Sequence, residues 1–331
     1  MEYKKISLGF SPTPIHELTN LSKLFEGYRL FIKRDDNNGL GAGGNKIRKL
    51  EYLLQDAIEN GADTVITAGA QQSNHCRLTA AACAKMGLKC HLLLGGEKPK
   101  EYNGNLLLSH LFGAKIHFTG NNRKGEDIPE TLKELKSKGN KPYVVPYGGS
   151  NSIGALGYVN AIREIKNQAE EMQIPINYIV FASSSGGTQA GLIAGCEIYN
   201  FDSEVIGISI DKDETNGQTL DEIINKLVSD VLTLYHYKNS DKTFDVSLIQ
   251  DYDKAGYGVV TTNEKRAIKL LAENEGILLD PVYTSRAFYG MMDLIKKKEL
   301  KPGSNIVFLH TGGIPANFYY AKDITSSKYL K

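Results

Sequence analysis

Long apolar runs are missing from this chain of 331 residues. None approaches the roughly 20 residues that a helix needs to span a bilayer, and Met1-Glu2-Tyr3-Lys4-Lys5 leads into no signal-like apolar stretch. No membrane contact is expected, and the expected location is the cytoplasm. An excess of one charge is missing too: 39 basic and 38 acidic residues leave a net +1, without the basic surplus that a phosphate backbone demands. Nucleic acid is therefore not an expected partner. Cysteine is scarce, and Cys76, Cys83, Cys90 and Cys196 form neither a Cys-x-x-Cys pair nor a disulfide framework. Free thiols are expected, with Cys76 and Cys83 spaced to share one helix face as small packing residues. No second histidine stands at metal-ligand spacing from His75, so no metal is expected.

What is present is a repeated strand and helix alternation. At 41% hydrophobic residues the chain can bury one large core or two smaller ones. A short strand at Arg29–Lys33 precedes the polar, Gly-rich run Asp35–Asn45. From Lys46 to Asn60 apolar residues recur at three- and four-residue steps and predict an amphipathic helix stopped by Gly61. Strands are predicted at Thr64–Ala68, Lys89–Leu94, Lys115–Phe118 and Tyr143–Pro146, with helices over Asn74–Met86, Asn105–Leu111 and Ile128–Lys138 between them. After the turn Gly148–Gly154 comes another helix, then strands at Tyr178–Ala182 and Val205–Ile210 around a helix from about Gln189. Residues 211–255 are charged and weakly periodic, with helix around Leu220–Leu234. Helices near Asn263–Glu275 and Phe288–Lys298 precede a last strand at Asn305–His310. The class is α/β with mostly parallel sheets.

Three stretches carry chemistry. Lys46 follows Gly43-Gly44-Asn45 on the first turn of its helix, against the positive end of the helix dipole, where an ammonium is disfavoured unless its charge is lost. An imine removes that charge, so Lys46 is the candidate for covalent work with an aldehyde cofactor, against the plainer reading of a solvated helix-end lysine. Ser184-Ser185-Gly186-Gly187-Thr188, between an apolar strand and a helix, offers N–H groups and hydroxyls to an anion, with phosphate the usual occupant. It matches neither Gly-x-x-x-x-Gly-Lys nor Gly-x-Gly-x-x-Gly, although Asp211 stands near the offset of a ribose-binding acid and keeps a dinucleotide open. A tight turn without ligand is the simpler alternative. Ser73-Asn74-His75 starts a helix and either caps it or receives a carboxylate and a ring hydroxyl. Tyr257 and Tyr283 are further candidates, weakened by the abundance of tyrosine, 18 residues in all.

Taken together, Gly43-Gly44-Asn45-Lys46-x-Arg48-Lys49-Leu50-Glu51, Gln72-Ser73-Asn74-His75-Cys76-Arg77, Asp280-Pro281-Val282-Tyr283-Thr284 and His310-Thr311-Gly312-Gly313 resemble the pyridoxal-phosphate enzymes of the D-cysteine desulfhydrase and 1-aminocyclopropane-1-carboxylate (ACC) deaminase group. The resemblance runs from Pro12 to the last strand. It implies the tryptophan-synthase-β-like fold, type II, with two three-layer α/β domains, usually as a homodimer. Residues 51–161 would form the small domain, and 1–50 with 162–331 the large one. It implies pyridoxal 5'-phosphate held as an imine on Lys46, with Asn74 on the ring hydroxyl, Ser184, Ser185, Gly186, Gly187 and Thr188 around the phosphate, and Thr311 facing the ring nitrogen. Ser73 with its neighbours Gln72, Asn74 and His75 would bind a small amino-acid substrate, and Tyr257 and Tyr283 would stand near its reacting carbons.

By the same resemblance ACC deaminases read Gln-Ser-Asn-Gln-Thr-Arg and carry a glutamate after the second tyrosine, where this chain has His75-Cys76 and Thr284. The implied reaction is α,β-elimination of D-cysteine to pyruvate, hydrogen sulfide and ammonia. Other β-substituted amino acids (cysteate, β-chloro-D-alanine, D-serine) and ACC are the alternatives within the group. A nicotinamide oxidoreductase and a non-catalytic binding protein are alternatives outside it. Desulfhydrases usually read Tyr-Thr-Gly-Lys-Ala where this chain has Tyr283-Thr284-Ser285-Arg286-Ala287, so Ser285 and Arg286 are expected to bear on what the pocket accepts.

Overall fold

A computed structural model describes residues 3–211, 217–238, 240 and 242–326. Strands β1 (Ile15–Glu17) and β2 (Arg29–Lys33) open the chain, and β3 (Thr64–Ala70), β4 (Lys89–Gly95), β5 (Lys115–Phe118) and β6 (Pro142–Val144) follow. The later strands are β7 (Tyr178–Ser183), β8 (Glu204–Ser209), β9 (Leu248–Ile249) and β10 (Asn305–Leu309). Between them run α1 (Thr19–Leu24), α2 (Lys46–Glu59), α3 (Asn74–Met86), α4 (Gly104–Leu111), α5 (Ile128–Ser137) and α6 (Ser152–Met172). The second half adds α7 (Gly187–Tyr199), α8 (Leu220–Leu234), α9 (Thr262–Glu275), α10 (Thr284–Lys296), α11 (Ala316–Tyr319) and α12 (Ala321–Thr325).

The strands form two sheets, a six-stranded one in the order β1-β2-β10-β7-β8-β9 and a four-stranded one in the order β5-β4-β3-β6. Among the described residues, every pairing of these strands is parallel except β1 with β2. The period-2 pattern of the strands decides which helices they meet. Leu30, Ile32, Val180, Ile206 and Phe308 face α1, α9 and α10, while Phe31, Ile179, Phe181 and Val307 face α6 and α7. In the smaller sheet Val65, Leu92 and Leu94 pack on α2 and α3, and Ile66, Ala68 and Leu93 pack on α5. Each sheet is thus sandwiched between helices, the arrangement a parallel sheet requires. Cys76, Cys83 and Cys90 lie free and buried in one apolar cluster, as their spacing implies.

Differences from the sequence pattern lie at element ends. The helix expected from Phe288 begins at Thr284, because the Asp280 carboxylate accepts from the N–H groups of Val282, Tyr283 and Thr284 at 3.0, 3.1 and 2.7 Å and nucleates the turn. Helix α6 starts inside the expected Gly148–Gly154 turn, capped by Asn151, whose side chain accepts from Gly154 N at 2.8 Å. Elements β1, α1, β9, α11 and α12 are too short to show a period.

A buried ionic cluster joins three distant parts of the chain. Arg48 on α2 grips Asp35 with Nε and Nη2, both at 2.8 Å, and reaches Glu164 on α6 with Nη1 at 2.9 Å. Lys33 from β2 also pairs with Glu164, and the Tyr158 hydroxyl donates to Asp35 at 2.7 Å. Burial works to raise both carboxyls, but Arg48, seconded by Lys33, holds each below its ordinary range. Removing one partner strands the others, so Arg48→Ala is expected to cost about 3–5 kcal/mol of unfolding free energy. Since the folded carboxyls sit below their unfolded values of about 3.9 and 4.3, the stabilisation is complete above those values and is lost as pH falls through the folded ones. Urea midpoints measured across that acid range should fall less steeply for Glu164→Gln than for the wild type; parallel slopes would refute the assignment.

Candidate active site

The loop before α2 is shaped so that Lys46 ends up inside the protein. Gly43 has φ +69, and a Cβ there would sit 1.7 Å from the Asp36 carbonyl oxygen, so no side chain fits. Asn38 clamps Gly44 at both N–H and C=O, each at 3.0 Å, and Arg77 Nη2 donates to the Gly43 carbonyl at 2.7 Å. Asn45 N then donates to the Thr311 carbonyl at 3.0 Å, which ties the head of α2 to the end of β10. Lys46 keeps part of its surface toward a cleft, and its Nζ lies 3.3 Å from Asn45 Oδ1. Burial lowers its pKa from 10.5 to about 8.

The cleft encloses about 610 Å³ of empty space, its open side included, and Lys46 shares its lining with Ser73, Asn74, His75, Ser184, Ser185, Gly186, Thr188, Tyr283 and Thr311. Those residues come from five separate stretches of sequence. Gly187, Tyr257 and Gln72 are not among its walls. Gly187 lies one residue behind, its N–H donating to Ser185 O and Ser150 Oγ at 3.0 and 3.2 Å. Tyr257 stands behind Tyr283, hydroxyl to hydroxyl at 2.7 Å. The Gln72 side chain turns away to α4, accepting from Asn105 N at 2.8 Å and donating to Asn103 O at 3.1 Å.

The Ser184–Thr188 turn opens α7, whose N-terminal residue Gly186 has φ +77 and makes no side-chain cap. The positive end of its dipole therefore lies at the cleft, although the first N–H, that of Gly187, is already taken. Ser185 Oγ pairs with Ser150 Oγ at 2.8 Å, and Lys49 Nζ donates to Ser150 Oγ at 3.2 Å and Gly148 O at 3.1 Å. Lys49 is one turn along α2 from Lys46, and burial, then the Lys46 charge, pull it well below its ordinary pKa. Asp211 accepts from Ser184 Oγ at 3.2 Å, so it belongs to the surroundings of this turn.

At the head of α3, Ser73 is both cap and wall: its Oγ accepts from Cys76 N at 3.2 Å and keeps its own proton to donate. Asn105 Nδ2 donates to Asn74 Oδ1 at 2.8 Å, which leaves the Asn74 NH₂ as the end available to a ligand. Burial drives both Tyr257 and Tyr283 well above 10, so the two phenols keep their protons. The positions singled out as departures do not line the cleft. Ser285 and Arg286 are fully buried in α10, and Arg286 binds Glu264 at 2.8 Å and the carbonyls of Ile210, Gly256 and Val259 at 2.6, 3.1 and 3.1 Å. Arg286 thus clamps the backbone that carries Tyr257. Thr284 is also enclosed, its hydroxyl donating to Asp280 Oδ1 at 2.7 Å. Asn45, Tyr147, Gly148, Ala182 and Ser183 line the cleft without having been predicted; Asn45, like the neighbouring Lys49, stands in the motif around Lys46.

A buried amine, an uncapped helix N-terminus with a second lysine beside it, and an oriented amide on one cleft define a pyridoxal-phosphate enzyme of fold type II. The chain belongs to that family: residues 6–312 match the family described as pyridoxal-phosphate dependent enzyme. It is 42% identical over 324 residues to the D-cysteine desulfhydrase of Klebsiella pneumoniae (strain 342), covering 96% of each chain. It is equally 42% identical over 317 residues to a Pyrococcus furiosus protein provisionally named a 1-aminocyclopropane-1-carboxylate deaminase, covering 95% of this chain and 93% of that one. The crystal structure of an ACC deaminase homologue superposes with a TM-score of 0.89 at 41% identity, over 98% of this chain and 96% of the other. Among the described residues, no helix is long and apolar enough to cross a membrane.

The residues fit the cofactor. An amine of pKa near 8 is half neutral at that pH, whereas ordinary lysines, near 10.4, remain almost wholly charged. Lys33 and Lys49 are lowered too but are fully enclosed, so Lys46, which opens on the cleft, should be the first lysine that a pyridoxal aldehyde and borohydride label, half-maximally near pH 8, as read by peptide mass spectrometry. Labelling that spreads over many lysines, or that rises only near pH 10, would contradict the site.

Proposed function

We propose that this chain is a D-cysteine desulfhydrase, an α,β-eliminating carbon–sulfur lyase that yields pyruvate, hydrogen sulfide and ammonia. The observation that carries the reading is Lys46, an amine lowered to about pH 8 by burial, sharing one cleft with an anion-binding helix N-terminus and the Ser73-Asn74-His75 motif. When bound, pyridoxal phosphate supplies an aldehyde for amines and an electron sink for the carbanion at Cα.

The chain's own groups do the rest. The positive end of α7 and the hydroxyls of Ser184, Ser185 and Thr188 hold the phosphate, with Lys49 behind them donating to Ser150, the partner of Ser185. Asn74 Nδ2 donates to the ring hydroxyl, and Thr311 meets the ring nitrogen with a neutral hydroxyl. A neutral partner leaves the ring a modest electron sink, sufficient when a thiolate is the leaving group. Ser73 and the N–H groups at the head of α3 hold the substrate carboxylate. Lys46 Nζ moves the Cα proton, since its lowered pKa suits a base near neutral pH. Tyr283, kept protonated by burial and joined to Tyr257 at 2.7 Å, delivers a proton toward the departing sulfur.

In the same reading the protein is a cytoplasmic homodimer whose small domain is 51–161 and whose large domain is 1–50 with 162–331. The membership of strands β3 to β6 in a sheet of their own supports that division. A second reading, opening of the ACC ring, draws on the likeness to the ACC deaminase homologue and the Pyrococcus furiosus protein. His75-Cys76 and Thr284 weigh against it. Incubation with D-cysteine, L-cysteine and ACC should release sulfide and pyruvate from D-cysteine alone. Appearance of 2-oxobutyrate from ACC would replace the first reading by the second. Lys46→Ala should abolish turnover, and Tyr283→Phe should lower kcat by about 10²–10⁴.

A further inference from the structure

His75 sits in the cleft wall, and its ring is tied down on one side only. Its Nε2 lies 2.8 Å from Thr67 Oγ1 on β3. Thr67 is fully buried, and its hydroxyl makes a second contact, 2.9 Å from the carbonyl oxygen of Val145. A carbonyl can only accept, and a hydroxyl has one proton. Thr67 therefore gives that proton to Val145 and must accept from His75, which puts the ring proton on Nε2. Val145 cannot move to relieve this, because its own N–H is bonded to the Ile66 carbonyl at 2.9 Å beside β3.

The other nitrogen, Nδ1, then carries a bare lone pair. His75 is 4% exposed, and among the described residues no group donates to Nδ1. Protonation offers no escape: burial first, then the charges of Lys46 and Lys49, hold the imidazole well below its ordinary pKa. A buried acceptor with no donor in the protein is a place for a donor from outside it.

We propose that Thr67 is a positioning residue, locking His75 of the cleft wall in the Nε2–H form so that Nδ1 is kept as a hydrogen-bond acceptor for an N–H, O–H or S–H group of the amino-acid substrate. The inference rests on the reading of this cleft as an amino-acid site, and it gives Thr67, on the strand before the Gln72–Arg77 motif and outside it, a part in what the site accepts. A glutamine at position 75, as in the ACC deaminase pattern, can present either end of its amide. Histidine held this way presents only an acceptor.

The test is the ¹⁵N spectrum of the histidine-labelled holoenzyme, with His75→Gln identifying the signals of His75. The wild type and Thr67→Ser should both show a protonated Nε2 and an unprotonated Nδ1 between about pH 6 and pH 8, the window in which free histidine titrates. Thr67→Val, which keeps the shape and removes the hydroxyl, should lose the single tautomer and raise KM for D-cysteine roughly tenfold with a smaller change in kcat. Thr67→Ser should keep the wild-type KM. A wild-type ring protonated on Nδ1, or one that titrates in that window, overturns the proposal without any variant. A Thr67→Val ring still locked on Nε2–H, or an unlocked ring with unchanged KM, overturns it as well. If the wild type turns over no D-cysteine, the function proposed above fails separately, because the ring spectrum is read without substrate.

Discussion

The buried grip of Arg48 on Asp35 and Glu164 is the constraint from which the site follows. A guanidinium out of water is tolerable only when its donors are met in the plane, and here two carboxylates from opposite ends of the first 164 residues meet them. The consequence is local as well as global. Arg48 is two residues beyond Lys46, on the same turn of α2, so anchoring one end of that turn leaves little freedom for the other. Lys46, whose own side-chain contact is a long one to Asn45 Oδ1 at 3.3 Å, is held by the rigidity of its neighbour.

The cleft's chemistry is then assembled by ends of elements rather than by their middles. The strand end at Ser183, the turn after β10 at Thr311 and the helix starts at Lys46, Asn74 and Gly186 converge, where backbone polar groups are left over from the ladders. The bond from Asn45 to Thr311 joins two of them directly. Both sheets contribute, so the cleft exists only where the strands of one approach the helices of the other.

Much of this could be read from sequence because the signals were local. Lys46 at a helix start, Asn74–Met86 as a helix stopped by Gly87, and the Ser-rich turn after an apolar strand each depend on neighbours within a few residues. What escaped was decided by distant contacts. Gln72 stands inside a motif that looks like a binding site, yet its amide holds α4, since Asn103 and Asn105 come within reach only after folding. Arg286 looked like a change in the pocket and is a clamp behind it, because its carbonyl partners lie between 27 and 76 residues away in the chain. Thr67 carried no signal at all: a threonine in a buried strand reads as filler until a histidine is placed against its hydroxyl.

The cysteines have a bearing on the sulfide release proposed above. Cys76 directly follows His75, yet burial pushes its thiol up to about 12, and Cys196 is pushed equally far by burial. The thiol of Cys90 is held high by its hydrogen bond to Cys83 and then by burial. Only the thiolate exchanges with disulfides, persulfides and other sulfur electrophiles. Cys76 and Cys90, raised and enclosed, are kept from that exchange, and the packing that completes the core also makes those two thiols inert toward such chemistry.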